Sequence, residues 1–499
     1  MTSAPDRKAP SPALRLGQPA GRWVILATVL GSGMAMLDAT VVNVALPTVG
    51  RQLHASLGGL QWTVSAYTLT LAGLILLGGS LGDRLGRRRI FLTGVVWFAL
   101  CSALCGLAPD IGVLIAARAL QGVGGALLAP GSLAIIQASF ASGDRARAVG
   151  AWSGLGGVAS AAGPLLGGWI VAAAGWRWVF LINLPLAAVV IVVTSRRVPE
   201  TRDPTAHGRF DIAGAALAAL ALAGVSYALI EAPGHGAAIR VAVAAVTGVA
   251  AGAGFVVLER HRGRSLSIRP TKQSTPPMLP LDVFASRQFT VVNVVTFLVY
   301  ASFGALFFLL VVELQVGSGF SPLRAGTALL PSTVLMLLLS SRWGALAQRI
   351  GPRWLMAGGT LISAAGLLLM TRIGTHVSYL ADVLPAVALF GLGASMTVAP
   401  LTATVLASAQ TRRAGVASGV NNAVARSAGL LAVAGLPVVA GLSIGHGSAA
   451  AFTSGFHTAM VISACLLVAG SAVSALFIAS DVLEPPSDHE LAGPVSLVA

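Results

Sequence analysis

The stretch Leu37-Asp38-Ala39-Thr40-Val41-Val42-Asn43-Val44-Ala45-Leu46-Pro47 decides how the chain is read. It ends the first long apolar segment, which begins near Trp23, and it places an acid and an amide where hydrocarbon would surround them. A carboxylate at mid-bilayer costs about 2.5–3.5 kcal/mol on insertion scales. A chain tolerates that cost when the group meets a water-filled cavity, a partner charge or a proton to be carried, so Asp38 is read first as functional. The plainer reading is a structural acid held by hydrogen bonds from neighbouring helices.

The whole chain is built for a lipid solvent. Of its 499 residues 56% are hydrophobic and 10% charged, whereas soluble domains carry roughly 25% charge. Its 59 glycines suit close helix approach in lipid, where burying Leu gains little. Fourteen apolar segments run at about 23–46, 58–80, 90–108, 111–135, 147–173, 176–194, 211–231, 237–258, 288–314, 323–343, 353–373, 380–406, 415–441 and 454–480. Each is near the length a spanning helix needs. The net charge of +15 reflects topology, not nucleic-acid binding: 25 of the 32 basic residues fall on one face, 5 on the other, and Arg118 and Arg426 lie inside segments. By the positive-inside rule the rich face is cytoplasmic, and an even segment count puts both termini there. The first apolar run is long enough to span and is not a cleaved signal. Cys101, Cys105 and Cys465 lie in apolar segments and read as small core residues without a disulfide framework.

A weak internal repeat organises the chain. Gly79-Ser80-Leu81-Gly82-Asp83-Arg84-Leu85-Gly86-Arg87 after segment two is echoed by Gly344 to Arg353 after segment ten, and Gly122 to Pro130 by Gly391 to Pro400. Segments one to six therefore match nine to fourteen, with seven and eight inserted. Repeated halves with a site between them mark secondary transporters. The expected divisions are an N-terminal tail at 1–22, a six-helix bundle at 23–195, a linker with two inserted helices at 196–258, a flexible cytoplasmic linker at 259–287, a second six-helix bundle at 288–480, and a disordered acidic tail at 481–499.

Four stretches, in order, carry a specific resemblance: Asp38 through Pro47; Gly79 to Arg89; Arg118-Ala119-Leu120-Gln121-Gly122-Val123-Gly124-Gly125; and Gly150, Gly163-Pro164 and Gly167-Gly168 in segment five. Trp176 to Pro185 adds a fifth. The chain resembles the major facilitator superfamily, in its fourteen-helix drug:proton antiporter branch, from Trp23 to Ser480. Where that pattern has a glycine four positions before the Gly-Pro pair, this chain has Ala159, which is still small. The resemblance implies an all-α polytopic membrane protein with two six-helix repeats and two inserted helices.

The residues take roles from both readings. Asp38 and Arg118 lie roughly 12 Å from the outer edge of their segments at ~1.5 Å per residue. The resemblance sets those segments side by side, so the two can pair, and a proton or cationic substrate would compete with Arg118 for Asp38. Gly79, Gly82, Asp83, Arg84, Gly86 and Arg87 form a gating loop in such families. Its glycines permit a tight turn, and its charges can bond across the seam between halves. Gly163-Pro164 should kink segment five, and Gly150, Gly167 and Gly168 belong to the helix associated with antiport. Gln61, Trp62 and Tyr67 resemble positions near the cavity, although Trp62 equally suits an interface anchor. Asn43, Gln121, Asn422, Arg426 and Glu313 complete the cavity set. Arg426 can serve carbonyls, an amide or substrate. Glu313 reads as an exposed rim acid, with a second proton site as the alternative, and Glu231 and Asp382 read as solvated.

The sequence holds no Gly-x-x-x-x-Gly-Lys-Ser/Thr phosphate loop, metal cluster or catalytic triad. The expectation is a non-enzymatic, monomeric, multi-pass protein of the cell (inner) membrane, with no cofactor but a proton gradient. Its partners would be protons, the bilayer and a small amphipathic drug, antibiotic or secondary metabolite. A lipid or lipid-precursor translocator and a non-transporting sensor or scaffold are the alternatives.

Overall fold

The computed structural model describes residues 14–203, 210–232, 238–268, 277–408, 414–442 and 449–483. Arg209, Arg269, Lys272, Arg412, Arg413 and the acidic tail beyond 483 lie outside the described residues. Among the described residues, fourteen helices are long and apolar enough to cross a membrane. They are numbered in chain order: α1 Pro19–Gln52, α2 Leu57–Leu85, α3 Arg87–Gly106, α4 Ile111–Ser139, α5 Gly143–Ala174, α6 Arg177–Arg197, α7 Ile212–Glu231, α8 Ala238–Ser265, α9 Arg287–Gly317, α10 Pro322–Ile350, α11 Arg353–Arg372, α12 Tyr379–Ala407, α13 Val416–Val439 and α14 Ala449–Phe477.

Local chemistry sets the helix starts. Ser56 Oγ accepts from Gly59 N at α2, and Asp110 Oδ1 accepts from Val113 N at α4 (2.9 Å), satisfying donors that a helix start leaves free. A single glycine, Gly86 at φ +118°, turns α2 into α3, and Gly351 at φ +82° turns α10 into α11. Such conformations favour glycine. The repeated sequence thus becomes a repeated turn. Beneath Gly86 the Glu200 carboxylate accepts from Arg88 N (3.0 Å) and Arg89 N (3.2 Å), placing an anion at the start of α3.

The expected loop at 79–89 is mostly helix. α2 runs through Leu85, Gly79 and Gly82 are helical, and only Gly86 turns. Glycine costs a helix about 1 kcal/mol, and here it allows close approach: a Cβ on the adjoining Gly78 would collide with the Ala126 carbonyl of α4.

The helices pair in a repeated pattern. In the first half α2 and α3 pack on α4, α1 packs on α5 and α6, and α3 on α6; the second half repeats this as α10 and α11 on α12, α9 on α13 and α14, and α11 on α14. α7 and α8 stand outside the repeat. α7 packs on α8 and also against α2 and α13, one from each half. α8 turns Val243, Val246 and Val257 outward, as a lipid-facing helix does. The flexible linker expected at 259–287 is partly ordered. The helix of α8 continues to Ile268, and Leu281–Ala285 forms a 3-10 turn. Glu259 Oε2 accepts from Leu279 N (2.8 Å), so a side-chain acid holds the backbone there. Cys101 and Cys105 are buried as expected, but Cys465 is exposed on α14.

The glycines of α4 bring its polar side chains into the bundle. A Cβ on Gly122 would overlap the Tyr67 carbonyl and Thr70 Oγ1 of α2, and one on Gly124 would lie 2.8 Å from Phe98 N of α3. A Gly122→Val variant is therefore expected to push α2 from α4 and to lose about 1–3 kcal/mol of stability. Thermal unfolding in detergent checks this, and an unchanged midpoint would contradict the packing described.

Candidate functional site

Five helices converge on one buried polar cluster. Asp38 of α1 and Arg118 of α4 are fully buried and form an ion pair, Arg118 Nη1 to Asp38 Oδ2, at 2.6 Å. Gln121 Nε2 donates to Asp38 Oδ1 (3.0 Å), as does Asn183 Nδ2 from α6 (3.1 Å). Both amides also donate to Ser102 Oγ of α3 (2.7 and 3.1 Å). Arg118 donates from Nε to the Thr63 carbonyl of α2 (3.1 Å) and from Nη1 to Gln121 Oε1 (2.7 Å). The cluster satisfies what would otherwise be two costly buried charges. The pairing expected from equal depth and the family resemblance is present. Ser102, Asn183 and the Thr63 carbonyl were not singled out in the sequence. Asn183 left a signal, an amide within the apolar run Trp176–Pro185; a serine such as Ser102 left none.

Tyr67 separates this cluster from open space. Its ring lies 4.3 Å from the Arg118 guanidinium carbon, and Tyr67 also lines a cavity of about 1,090 Å³ between the halves. Thr40, Trp152, Asn422 and Arg426 share that wall. The cavity extends to Asp83, Arg84, Gln137, Leu406 and Val416 at the arginine-rich helix ends. Asp38 and Arg118 lie behind the cavity lining, not on it, so direct competition by a cationic substrate has no open path in this conformation.

At the arginine-poor end the halves are closed on each other. Gln315 Nε2 of α9 donates to the Val44 carbonyl of α1 (2.9 Å), and Gln61 Nε2 of α2 donates to the Val433 carbonyl of α13 (2.7 Å). Of the antiport-associated glycines, Gly168 sits in this seam, whereas Gly163 and Gly167 pack α5 on α1 within the first half. A Cβ on Gly168 would lie 2.7 Å from the Pro322 carbonyl of α10, one on Gly167 would lie 2.9 Å from Val41 Cγ1, and one on Gly163 would overlap Thr40. Gly326 of α10 in turn lies against the Pro164 carbonyl. The Gly-Pro pair acts here as a contact surface within a helix that remains continuous. Toward the arginine-rich end of the same helix, a Cβ on Gly150, Gly154 or Gly157 would meet nothing within 4 Å among the described residues.

Several expected cavity residues lie elsewhere. Gln61 belongs to the closed seam and Gln121 to the buried cluster. Trp62 Nε1 donates to Glu231 Oε1 of α7 (3.1 Å), and its ring lies 6.1 Å from that of Tyr227, which makes it a contact between α2 and α7. Glu231 is thereby engaged rather than freely solvated, whereas Asp382 accepts from Ser378 N in an exposed turn. Asn43 is partly buried, off the cavity wall, and its Oδ1 has no partner among the described residues. Glu313 is not a rim acid. It is fully buried and accepts from Thr453 Oγ1 (2.7 Å), because a π-helical turn at Glu313–Gly317 folds its carboxylate inward over Gly317. Tyr67, Asn422 and Arg426 do line the cavity.

Asp83 and Arg87 of the gating stretch bond to each other. Asp83 Oδ1 accepts from Arg87 Nη2 (2.7 Å), Arg84 stacks on Phe210 at 4.4 Å, and the Asp83 carbonyl accepts from Asp203 N (2.9 Å). The bond expected from Asp83 across the seam is replaced by this local pair, because the cavity holds that end of α2 apart from the second half. Among the described residues no group of three or more His, Cys, Asp or Glu is placed to hold a metal.

Known proteins share this architecture. The Major Facilitator Superfamily model matches residues 28–434. Multidrug resistance protein Stp of Mycobacterium tuberculosis (strain CDC 1551 / Oshkosh) is 35% identical over 401 residues, covering 80% of this chain and 72% of that protein. The tetracenomycin C resistance and export protein of Streptomyces glaucescens is 34% identical over 449 residues, covering 88% and 80%. Among solved structures, a bacterial homolog of the human lysosomal transporter Spinster, inward-facing and unoccupied, superposes with a TM-score of 0.64 at 17% identity, covering 94% of this chain and 98% of that one.

Removing one partner of a buried ion pair leaves the other uncompensated. Arg118→Leu is expected to cost about 3–5 kcal/mol, and adding Asp38→Asn to it should recover part of that loss. Thermal midpoints of the two single variants and the double variant check this; strict additivity would mean that the pair is not energetically coupled.

Proposed function

The chain belongs to the major facilitator superfamily, and from that premise we propose that it exports small amphipathic drugs, antibiotics or secondary metabolites in exchange for protons. The relatives named above are resistance and export proteins, which supports this cargo class. The arginine-rich end is taken as cytoplasmic by the positive-inside rule. The protein then sits in the cytoplasmic membrane as a monomer with both termini inside, and its cavity faces the cytoplasm, where an exporter loads.

The observation that carries the reading is the Asp38–Arg118 pair sealed behind Tyr67 at the cavity wall. Protonating Asp38 removes the charge that holds Arg118 and weakens the bonds from Gln121 and Asn183. Those bonds join α1 to α4 and α6, so their loss favours a rearrangement of the first bundle. Exchange of the seam follows: the contacts of Gly168 with Pro322 and of Gly326 with Pro164 part, and the cavity wall around Val149 and Ser153 closes. Alternating access of this kind rocks two repeats about a fixed central site. No cofactor beyond the proton gradient is required.

Asp38→Asn keeps the shape of the side chain and removes its titration. Drug accumulation in cells lacking the native gene, with and without a protonophore, is the measurement. The variant should reach the membrane in normal amount, yet leave accumulation as high as in cells without the protein. Gradient-driven export retained by Asp38→Asn would end the proposed coupling.

A further inference from the structure

The charges around the cavity are unevenly compensated. Asp83 is paired with Arg87, and Asp211 with Arg262. Arg118 is paired with Asp38 behind Tyr67. Arg426, on α13, lines the same cavity and has no hydrogen-bond or ion-pair partner among the described residues; its Nε is buried and unsatisfied. The ionisable groups close enough to act on it are two phenols, Tyr67 of α2 and Tyr300 of α9. Nearby Asn421 is occupied elsewhere, donating to Asn293 Oδ1 (3.2 Å) and Thr296 Oγ1 (2.7 Å) of α9.

A guanidinium withdrawn from bulk water is costly unless an anion or several acceptors meet it. While the cavity is open, water can serve. Once the halves close over the cavity, the compensating group has to come with the cargo. A guanidinium offers a planar fork of donors that fits a carboxylate or similar oxyanion with two parallel bonds. The adjoining wall is apolar and aromatic, with Met36, Leu71, Ile75, Leu133 and Trp152. That surface suits a hydrocarbon or ring body carrying one acidic group. A cationic amphipath would meet Arg426 and no unpaired carboxylate on the wall.

We propose that Arg426 is the recognition site for the anionic head group of an amphipathic organic acid, which makes organic anions the preferred cargo class. The inference rests on the export reading, because the site lies in the cavity that reading assigns to cargo. Within it, Arg426 binds the oxyanion, and the wall of α1, α2, α4 and α5 holds the apolar body.

Two xanthene dyes of similar shape and opposite charge separate the possibilities: anionic fluorescein and cationic rhodamine 123. Binding to the purified full-length protein in detergent is read by fluorescence anisotropy. Fluorescein is expected to bind more tightly than rhodamine 123. Arg426→Gln should weaken fluorescein about tenfold or more, as loss of a charged hydrogen bond does, and leave rhodamine 123 unchanged. Arg426→Lys, which keeps the charge, should restore part of the affinity. A monodisperse elution profile and an unshifted thermal midpoint establish that each variant is folded. The proposal is overturned if wild-type protein binds fluorescein no better than rhodamine 123, if Arg426→Gln leaves fluorescein affinity unchanged, or if it weakens both dyes equally. Flux in proteoliposomes under an imposed proton gradient tests the export reading separately. Arg426-dependent binding with no gradient-driven movement of either dye would sink export and leave the anion site standing. Gradient-driven fluorescein movement that Arg426→Gln leaves undiminished would do the reverse.

Discussion

The first half of the molecule is arranged around an ion pair buried where neither charge reaches water. Asp38 and Arg118 are 2.6 Å apart, and at that burial each depends on the donors and acceptors around it. Those partners come from the Thr63 carbonyl, Ser102, Gln121 and Asn183, so α1, α2, α3, α4 and α6 must all hold their places. The glycines of α4 make this possible. Without side chains at Gly122 and Gly124, α4 lies close against α2 and α3, and Arg118 and Gln121 are delivered to one point. The packing and the electrostatics are therefore one constraint.

The two halves share a pattern of helix pairing but not a chemistry. Where the first half places its charged cluster, the helices α9 and α12 of the second half contribute rings packed edge to face, with Phe303 and Phe390 at 5.0 Å and Phe307 beside them. The second half supplies the cavity with Arg426 instead. This asymmetry separates a group that can hold a proton from a group that can meet an anion, with Tyr67 between them. The seam at the closed end is held by amide side chains donating to main-chain carbonyls, Gln61 and Gln315, and by glycine against carbonyl. Such contacts need close approach but no buried charge, so they can part without stranding one. α7 spans the seam from outside, touching α2 and α13, and it joins the inserted pair to both halves.

Much of this was legible in the sequence. The fourteen apolar segments, their repeat and the asymmetric arginines follow from how a bilayer selects residues, and those rules act locally along the chain. Helical rise put Asp38 and Arg118 at one depth, and the family resemblance, which sets their segments side by side, was needed to expect their pairing. Gly86 and Gly351 announced turns through their place in the repeated motif.

What the sequence could not decide was which side of each helix its polar groups face and which state the halves adopt. Gln61, Trp62 and Tyr67 stand within seven positions of one another, yet one closes the seam, one anchors α7 and one walls the cavity. Their azimuth is set by neighbours far along the chain. Glu313 looked like a rim acid because its position near a segment end suggested water, and only the π-helical turn folds it inward. Segment identity, depth and charge balance come from the chain alone, since each is a property of residues against a uniform solvent. Burial of the Asp38–Arg118 pair, the opening at one end and the uncompensated Arg426 come from the tertiary structure, since each depends on which distant side chains share the same space.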